Sequence, residues 1–446
     1  MDVPISPRIA AIQRAVGEGR DEDLDAFWHD IAQHGAPLIE PGPDADHALV
    51  TFLWRAAGTA ASVVVVGGLA HADVDQDRLV HLPETDLWYR TYLAPAGVRT
   101  VYRLSVDGPL GPTVEEAMRR FFMARPDPLN PRTYVVPPDT ERPDATGGVA
   151  SVLEAPGAAP RPWVAPRSDV PTGCVDLHRR RSAILDNERR VWVYTPPEYT
   201  PTGAPYPVVL LFDGSEYSGR LVPTPTILDN LIAAGRIPPL VAILPDSLGG
   251  ETRSRELRPS SPFDAFVIDE LLPWARQLYH VSTEPALSVV AGSSAGGLAA
   301  ASIALRHPDV FGNVLSQSGF VVWKPEDDPR DHWLARHIED HPAVPVCWYL
   351  DVGSSKTRRV PMAARRWSRR TAACATSCGP QAVMSGTRSS AAATITSVGK
   401  VPSPTVSWRC SARVRPPART RTERGPLISS LWEGMVNVPF ISTRYC

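Results

Sequence analysis

Gly292-Ser293-Ser294-Ala295-Gly296-Gly297 is the stretch whose residue types could do covalent chemistry. Ser294 follows the apolar stretch Leu287-Ser288-Val289-Val290 and precedes an Ala-rich helical segment over 295–307. That strand, turn and helix are the context a G-x-S-x-G nucleophile elbow requires. A serine raised on such a turn sits in strained backbone, where only small neighbours avoid a clash. The helix that follows points its N-terminus at the hydroxyl, and its dipole favours developing negative charge. The bland alternative is a Gly/Ser-rich loop joining strand to helix, and the flanking elements favour the elbow.

Acyl transfer also needs hydrogen-bond donors aimed at the oxyanion. One expected donor is the backbone N–H of Ala295, directly after the nucleophile. Candidates for the other are the N–H groups of Gly214 and Ser215, in the loop after the apolar run Val208-Val209-Leu210-Leu211-Phe212, and the alternative there is a plain turn. The stretch after the next strand carries Arg253 and Arg255, which could clamp an anionic substrate. The alternative for both is ion pairing with Glu251 and Glu256. No metal or other cofactor is expected. Cys374 and Cys378 lack a second ligand pair at zinc-site spacing.

Alternating elements must position these residues. Arg190-Val191-Trp192-Val193-Tyr194, the 208–212 run, Leu240-Val241-Ala242-Ile243-Leu244, 287–290, 311–315 and Val346-Cys347-Trp348-Tyr349-Leu350 read as strands. Helices fall between them, at 226–234 and along a stripe of Phe263, Phe266, Val267, Leu271, Trp274 and Leu278. The fold class is therefore α/β, a mostly parallel sheet with helices on both faces. Short β-branched and aromatic runs between 48 and 106 suggest a smaller N-terminal β-sandwich. The Gly-, Ala- and Pro-rich stretch 145–171 reads as a linker. The expected organisation is an N-terminal substrate-binding domain over 1–145, a linker over 146–171, an esterase domain over 172–355 and an aberrant tail over 356–446.

Composition narrows the classes. Apolar residues make up 43% of the 446, and the formal net charge is −2. A near-neutral chain gives no reason to expect nucleic acid or a membrane surface as a partner. The opening residues carry no basic stretch followed by an apolar core, so a cytoplasmic location is expected. Yet residues 356–446 hold 16 Lys and Arg against 2 Asp and Glu, four of the six cysteines and no His.

The chain resembles the enterochelin esterases, cytoplasmic relatives of the esterase D type, over roughly residues 20–355. The resemblance is carried by Val193-Tyr194-Thr195-Pro196-Pro197, Leu211-Phe212-Asp213-Gly214, Thr252-Arg253-Ser254-Arg255-Glu256-Leu257, Glu270-Leu271-Leu272-Pro273-Trp274, the Ser294 motif and Leu315-Ser316-Gln317-Ser318-Gly319. It implies an α/β-hydrolase fold behind a β-rich N-terminal domain. It also implies hydrolysis of the serine-ester trilactone of a ferric catecholate siderophore such as enterobactin, for iron release. Arg253 and Arg255 then suit an anionic, aromatic substrate. Two other readings remain: a feruloyl-type esterase of acylated carbohydrate, and a siderophore-binding protein without catalysis.

The triad order in such hydrolases is Ser, acid, His. Here the last His is His341, ahead of the final strand, and Asp351 reads as that strand's end. Ser294 therefore lacks a base in the expected place. The tail is Arg-, Ser-, Ala- and Pro-rich without periodicity, as a GC-rich gene reads out of frame. With the frame moved back one nucleotide, Lys356 can become Glu. Ala393, Thr394, Ile395 and Thr396 can become Gly, His, Asp and Tyr. A frameshift near 354–356 would thus have replaced the acid, the His and the last strand, and the competing reading is a genuine basic, disordered tail. The chain as it stands is expected to be weakly active or inactive.

Overall fold

The computed structural model describes residues 5–58, 60–71, 73–319, 323–330, 333–340, 344–351, 385–386 and 431. Two helices, Pro7–Gly17 and Asp21–His34, open the chain and bury Ile9, Ile12, Phe27, Trp28 and Ile31 against Leu38, Leu53 and Leu87. Ser6 caps the first helix by accepting from the Ile9 N–H, which satisfies one of its free amides.

Eight strands follow: β1 (Leu38–Pro41), β2 (His47–Arg55), β3 (Val63–Gly67), β4 (Val80–His81), β5 (Leu87–Pro95), β6 (Arg99–Val106), β7 (Thr133–Val136) and β8 (Gly148–Glu154). They form two antiparallel four-stranded sheets, ordered β1-β2-β5-β4 and β3-β6-β8-β7. Val50, Phe52 and Tyr92 of one sheet pack against Val63, Val65, Tyr102, Leu104 and Leu153 of the other. The expected sandwich is present, but its last strand lies inside the stretch read as linker. Gly147 and Gly148 suggested a linker because they break the local pattern. They instead bound a turn: a Cβ on Gly147 would meet Val136 O at 2.5 Å. The connection between the two units runs from residue 155 to 173.

The second unit is one sheet of β9 (Cys174–Ser182), β10 (Asn187–Thr195), β11 (Val208–Leu211), β12 (Val241–Pro245), β13 (Ser288–Ser293), β14 (Asn313–Gln317), β15 (Cys347–Asp351) and β16 (Ser385–Gly386), in the order β16-β15-β14-β13-β11-β12-β10-β9. β11 to β16 run parallel, and β9 and β10 form an antiparallel edge. Val208 and Leu210 join the core on one face, while Val209 and Leu211 join the core on the other. Burial of both faces is why β11 is apolar without alternation. Helix Ala295–Arg306 covers the first face and helix Thr224–Ala233 the second.

The amphipathic stripe is buried through Leu271, and Trp274 still packs against the core half-buried, but Leu278 is 54% exposed. A π-helical turn over Phe266–Leu271 rotates the helix beyond it, so Leu272 and Ala275 face the core instead. Of the tail, Ser385–Gly386 pairs with Leu350 and Asp351, and Leu431 is buried beside Tyr349 and Leu315. These three are the described residues of the tail. Lys356, the tail cysteines and 393–396 lie outside the described residues. Among those described, no helix is long and apolar enough to cross a membrane.

Candidate active site

β11 lies between β12, which follows it in sequence, and β13, which follows β12. The strand order therefore reverses between β11 and β13, and the carboxyl ends of these two strands flank the crevice where α/β sheets bind ligands. Ser294 comes off one of those ends and Gly214 off the other, and the strands pair with Leu211 opposite Ala291.

Ser294 has φ +54° and ψ −119°, between the last residue of β13 and helix Ala295–Arg306. A β-carbon residue rarely takes this conformation, and it marks strain held by the surroundings. The surroundings are visible. A Cβ on Gly292 would lie 2.5 Å from the Gly296 backbone, and one on Gly297 would lie 2.7 Å from Ser316 Oγ. The small residues of the motif are required by this crossing of strand and helix. Ser294 is half-buried, and its N–H donates to Gln317 O at 2.9 Å.

The second loop turns at Asp213, which has φ +62°, into the short helix Gly214–Tyr217. Gly214 passes so close to β12 that a Cβ would meet Leu244 O at 2.1 Å. Glu216 N and Tyr217 N donate to Asp213 O, and Ser218 N donates to Gly214 O. The N–H groups of Gly214 and Ser215, like that of Ala295, have no hydrogen-bond acceptor among the described residues. First-turn helix amides are free by construction, and here they follow the paired strands β11 and β13.

Charge surrounds these loops. Arg253 is on helix Gly250–Glu256, which follows β12, and its Nε and Nη2 donate to the two Asp213 oxygens at 2.7 and 2.8 Å. Burial works against the guanidinium charge, but Asp213 outweighs it and holds the pKa above the usual arginine value. Arg253 thus has a partner, and it is neither Glu251 nor Glu256. Glu256 is buried against Arg189 at 3.0 Å. Arg255 is exposed, with no ion pair among the described residues. The two arginines, alike in sequence, play different parts: Arg253 braces the Asp213 turn, and Arg255 is available to solvent. Burial, with Asp213 nearby, raises the pKa of Glu216. Sequence reasoning missed Asp213 and Glu216 as members of the site. The available signal was a carboxylate directly after a fully apolar strand.

Four parallel strands in succession lead into residues with positive φ: Asp213 after β11, Leu248 after β12, Ser294 after β13 and Ser318 after β14. These four lie at one end of the sheet, while Glu198, after the antiparallel β10, has positive φ at the other.

Among the described residues no imidazole bonds Ser294. His178 bonds Tyr279, His280 bonds Gly203 O, His71 pairs with Asp77, and His337 stacks on Trp333. Asp351 ends β15 opposite Gln317. His341 lies outside the described residues.

Two family models match the chain, one described as "Putative esterase" over residues 182–376 and one as "Enterochelin esterase, N-terminal" over residues 49–164. The iron(III) enterobactin esterase of Dickeya dadantii is 32% identical over 329 residues, covering 67% of this chain and 72% of that protein. The enterobactin esterase of Shigella flexneri, solved in the presence of enterobactin, superposes with a TM-score of 0.62 at 26% identity, covering 79% and 90%. A shorter match, 31% over 108 residues, is to an endo-1,4-beta-xylanase/feruloyl esterase of Xylanibacter ruminicola, covering 23% and 15%.

Proposed function

The chain belongs to the enterochelin esterase family, a group of carboxylic-ester hydrolases, and on that premise we propose that Ser294 attacks the serine-ester bonds of a catecholate siderophore trilactone. The observation that carries this reading is the strained Ser294 beside the free N–H groups of Ala295, Gly214 and Ser215. Ser294 Oγ bonds to the ester carbonyl carbon as its proton passes to water, and the negative charge on the carbonyl oxygen falls among those donors. The C–O bond to the leaving serine oxygen then breaks, and that oxygen takes a proton back from water. Water releases the acyl group in a second such step. Arg255, exposed on the helix that follows β12, supplies a cation for the anionic catecholates. Arg253 acts by fixing the Asp213 turn. A feruloyl-type activity is the weaker alternative, because its match spans less than a quarter of the chain.

In the sequence no His follows His341, where the Ser, acid, His order puts the base, and this supports slow acylation rather than rapid turnover, since triad members act as a unit. The frameshift reading of the tail rests on the composition of residues 356–446. Resequencing codons 350–446 tests that reading: stops in the shifted frame would refute it. The activity test is peptide mass spectrometry after incubation with a ferric catecholate trilactone. One slowly added acyl group on Ser294, absent from Ser294→Ala, is the expected result. Acylation elsewhere would refute Ser294 as nucleophile. Fast turnover abolished by Ser294→Ala would refute the slow-acylation reading and require a base outside the described residues.

A further inference from the structure

The loop between β7 and β8 belongs to the N-terminal sandwich, yet it ends against the esterase crevice. It is closed on itself by Asp139 N to Ala145 O at 2.9 Å, Arg142 N to Asp139 O at 3.0 Å and Ala145 N to Arg142 O at 2.9 Å. Arg190 of β10 fixes its base, donating to Asp139 Oδ1 and Oδ2 at 2.9 and 2.5 Å and to Asp246 Oδ2 at 2.7 Å. All three side chains are buried, at 9%, 6% and 1% exposure.

Arg142, at the tip, enters between the loops that follow β11 and β12. Its Nη1 donates to Ser215 Oγ at 3.2 Å and lies 3.5 Å from Asp246 Oδ1 and 3.7 Å from Glu216 Oε1. The loop after β12 closes over the same guanidinium, since a Cβ on Gly249 would sit 2.4 Å from Arg142 Nη2. Farther along, Tyr134 of β7 donates to Leu221 O, and Arg220 donates to Pro137 O at 3.2 Å.

The segment so clamped is the four-residue helix Gly214–Tyr217 with its two free N–H groups. One helical turn does not hold itself in water. Oxyanion donors, however, act only within a few tenths of an ångström of their place. Arg253 holds this segment from one side through Asp213, and Arg142 holds it from the other through Ser215 and Glu216.

We propose that Arg142 is a positioning residue for acyl transfer: the N-terminal sandwich supplies the brace that aims the Gly214 and Ser215 N–H groups. This rests on the reading of Ser294 and the Gly214 loop given above. The sandwich is then part of the catalytic centre as well as a surface for substrate.

The test uses the full chain, Arg142→Ala and Arg142→Lys, with p-nitrophenyl butyrate as the acyl donor. In Arg142→Ala the maximal rate of the nitrophenolate burst falls by about tenfold or more, with the half-saturating ester concentration unchanged. Arg142→Lys recovers most of the rate, and the unfolding temperature of both variants stays near that of the parent. In parallel, amide exchange of the peptide over 212–218 quickens in Arg142→Ala and is restored in Arg142→Lys, while peptides of β2 and β5 do not change. An unchanged burst, a loss confined to half-saturation, a fall in unfolding temperature that accounts for the rate, or unaltered exchange over 212–218 would each overturn the inference. If the parent chain gives no burst, the nucleophile reading fails, and the exchange result alone decides whether Arg142 positions the loop.

Discussion

The two units bury apolar surface in similar ways and treat charge differently. In the sandwich, buried carboxylates rest on neutral or half-exposed partners: Asp127 on Tyr102, and Asp77 on Tyr92 and His71. In the eight-stranded unit, buried carboxylates at the carboxyl ends of the strands meet arginines: Asp213 with Arg253, Asp246 with Arg190, and Glu256 with Arg189. Positive φ differs in part. Exposed turns carry it in both units, at Glu84 and Asp107 in the sandwich and at Asp186 and Glu198 in the second, but among the described residues only the second unit also has it at neighbouring strand ends, at Asp213, Leu248, Ser294 and Ser318. Buried ion pairs and strained backbone are costly where hydrophobic packing would serve. Among the described residues the two occur together in the segments that follow β11, β12 and β13, beside the proposed nucleophile.

That contrast can be broken by substitution. The largest loss is expected from Arg253→Ala, which leaves the buried Asp213 carboxylate unpaired and costs about 3–5 kcal/mol in urea unfolding. A loss under about 1 kcal/mol would mean the pair is no more than a surface bridge. Next comes Gly292→Ala, whose Cβ would lie 2.5 Å from the Gly296 backbone. Overpacking there is expected to cost about 1–3 kcal/mol and to slow acylation, both measurable on the same preparation.

Asp139→Asn tests the charged seam between the units. Arg190 hydrogen bonds hold the Asp139 carboxyl below its usual range. A lowered folded pKa contributes stability above the unfolded value near about pH 4, and that stability is lost as pH falls through the folded value. Acid should therefore loosen this seam in the parent, and Asp139→Asn should remove that pH dependence at a cost of about 1–2 kcal/mol at neutral pH. An unchanged acid titration of stability would count against the seam.

Glycine substitution at positive φ separates strain from function. Ser294→Gly should raise stability by about 1 kcal/mol and abolish acylation. Glu84→Gly should stabilise by a comparable or smaller amount and leave acylation intact. Equal effects on activity would remove the distinction between the two regions. The smallest expected change is Arg255→Ala, within about 0.5 kcal/mol of the parent in unfolding because the side chain is exposed. Its effect should appear only in weaker binding of ferric catecholate, followed by fluorescence quenching.

The sequence was enough for elements whose pattern is local. Ser294 with its small neighbours, the apolar run of β11 and the β-branched runs of the sandwich each carry their reason in adjacent residues. The strand β8 was hidden, because Gly147 and Gly148 signal a break whether the chain leaves a domain or turns back into its sheet. Leu278 was misplaced because a π-helical turn inserts a residue that a fixed helical period cannot anticipate. The contrast between Arg253 and Arg255 was not legible at all. Two arginines two positions apart on one helix point in different directions, and only Asp213, 40 residues earlier, decides which of them is held.

By itself the sequence determined the layered α/β architecture, the elbow that exposes Ser294 and the absence of a histidine after the last predicted strand. These follow from side-chain volume, periodicity and chain order, which are properties of neighbours along the chain. Only the tertiary structure decided that Asp213, Glu216, Asp246, Arg142 and Arg190 meet around one crevice, with a loop of the N-terminal sandwich among them. Long charged side chains find partners through space, and the pairing is set by where the strands end rather than by the residues beside them.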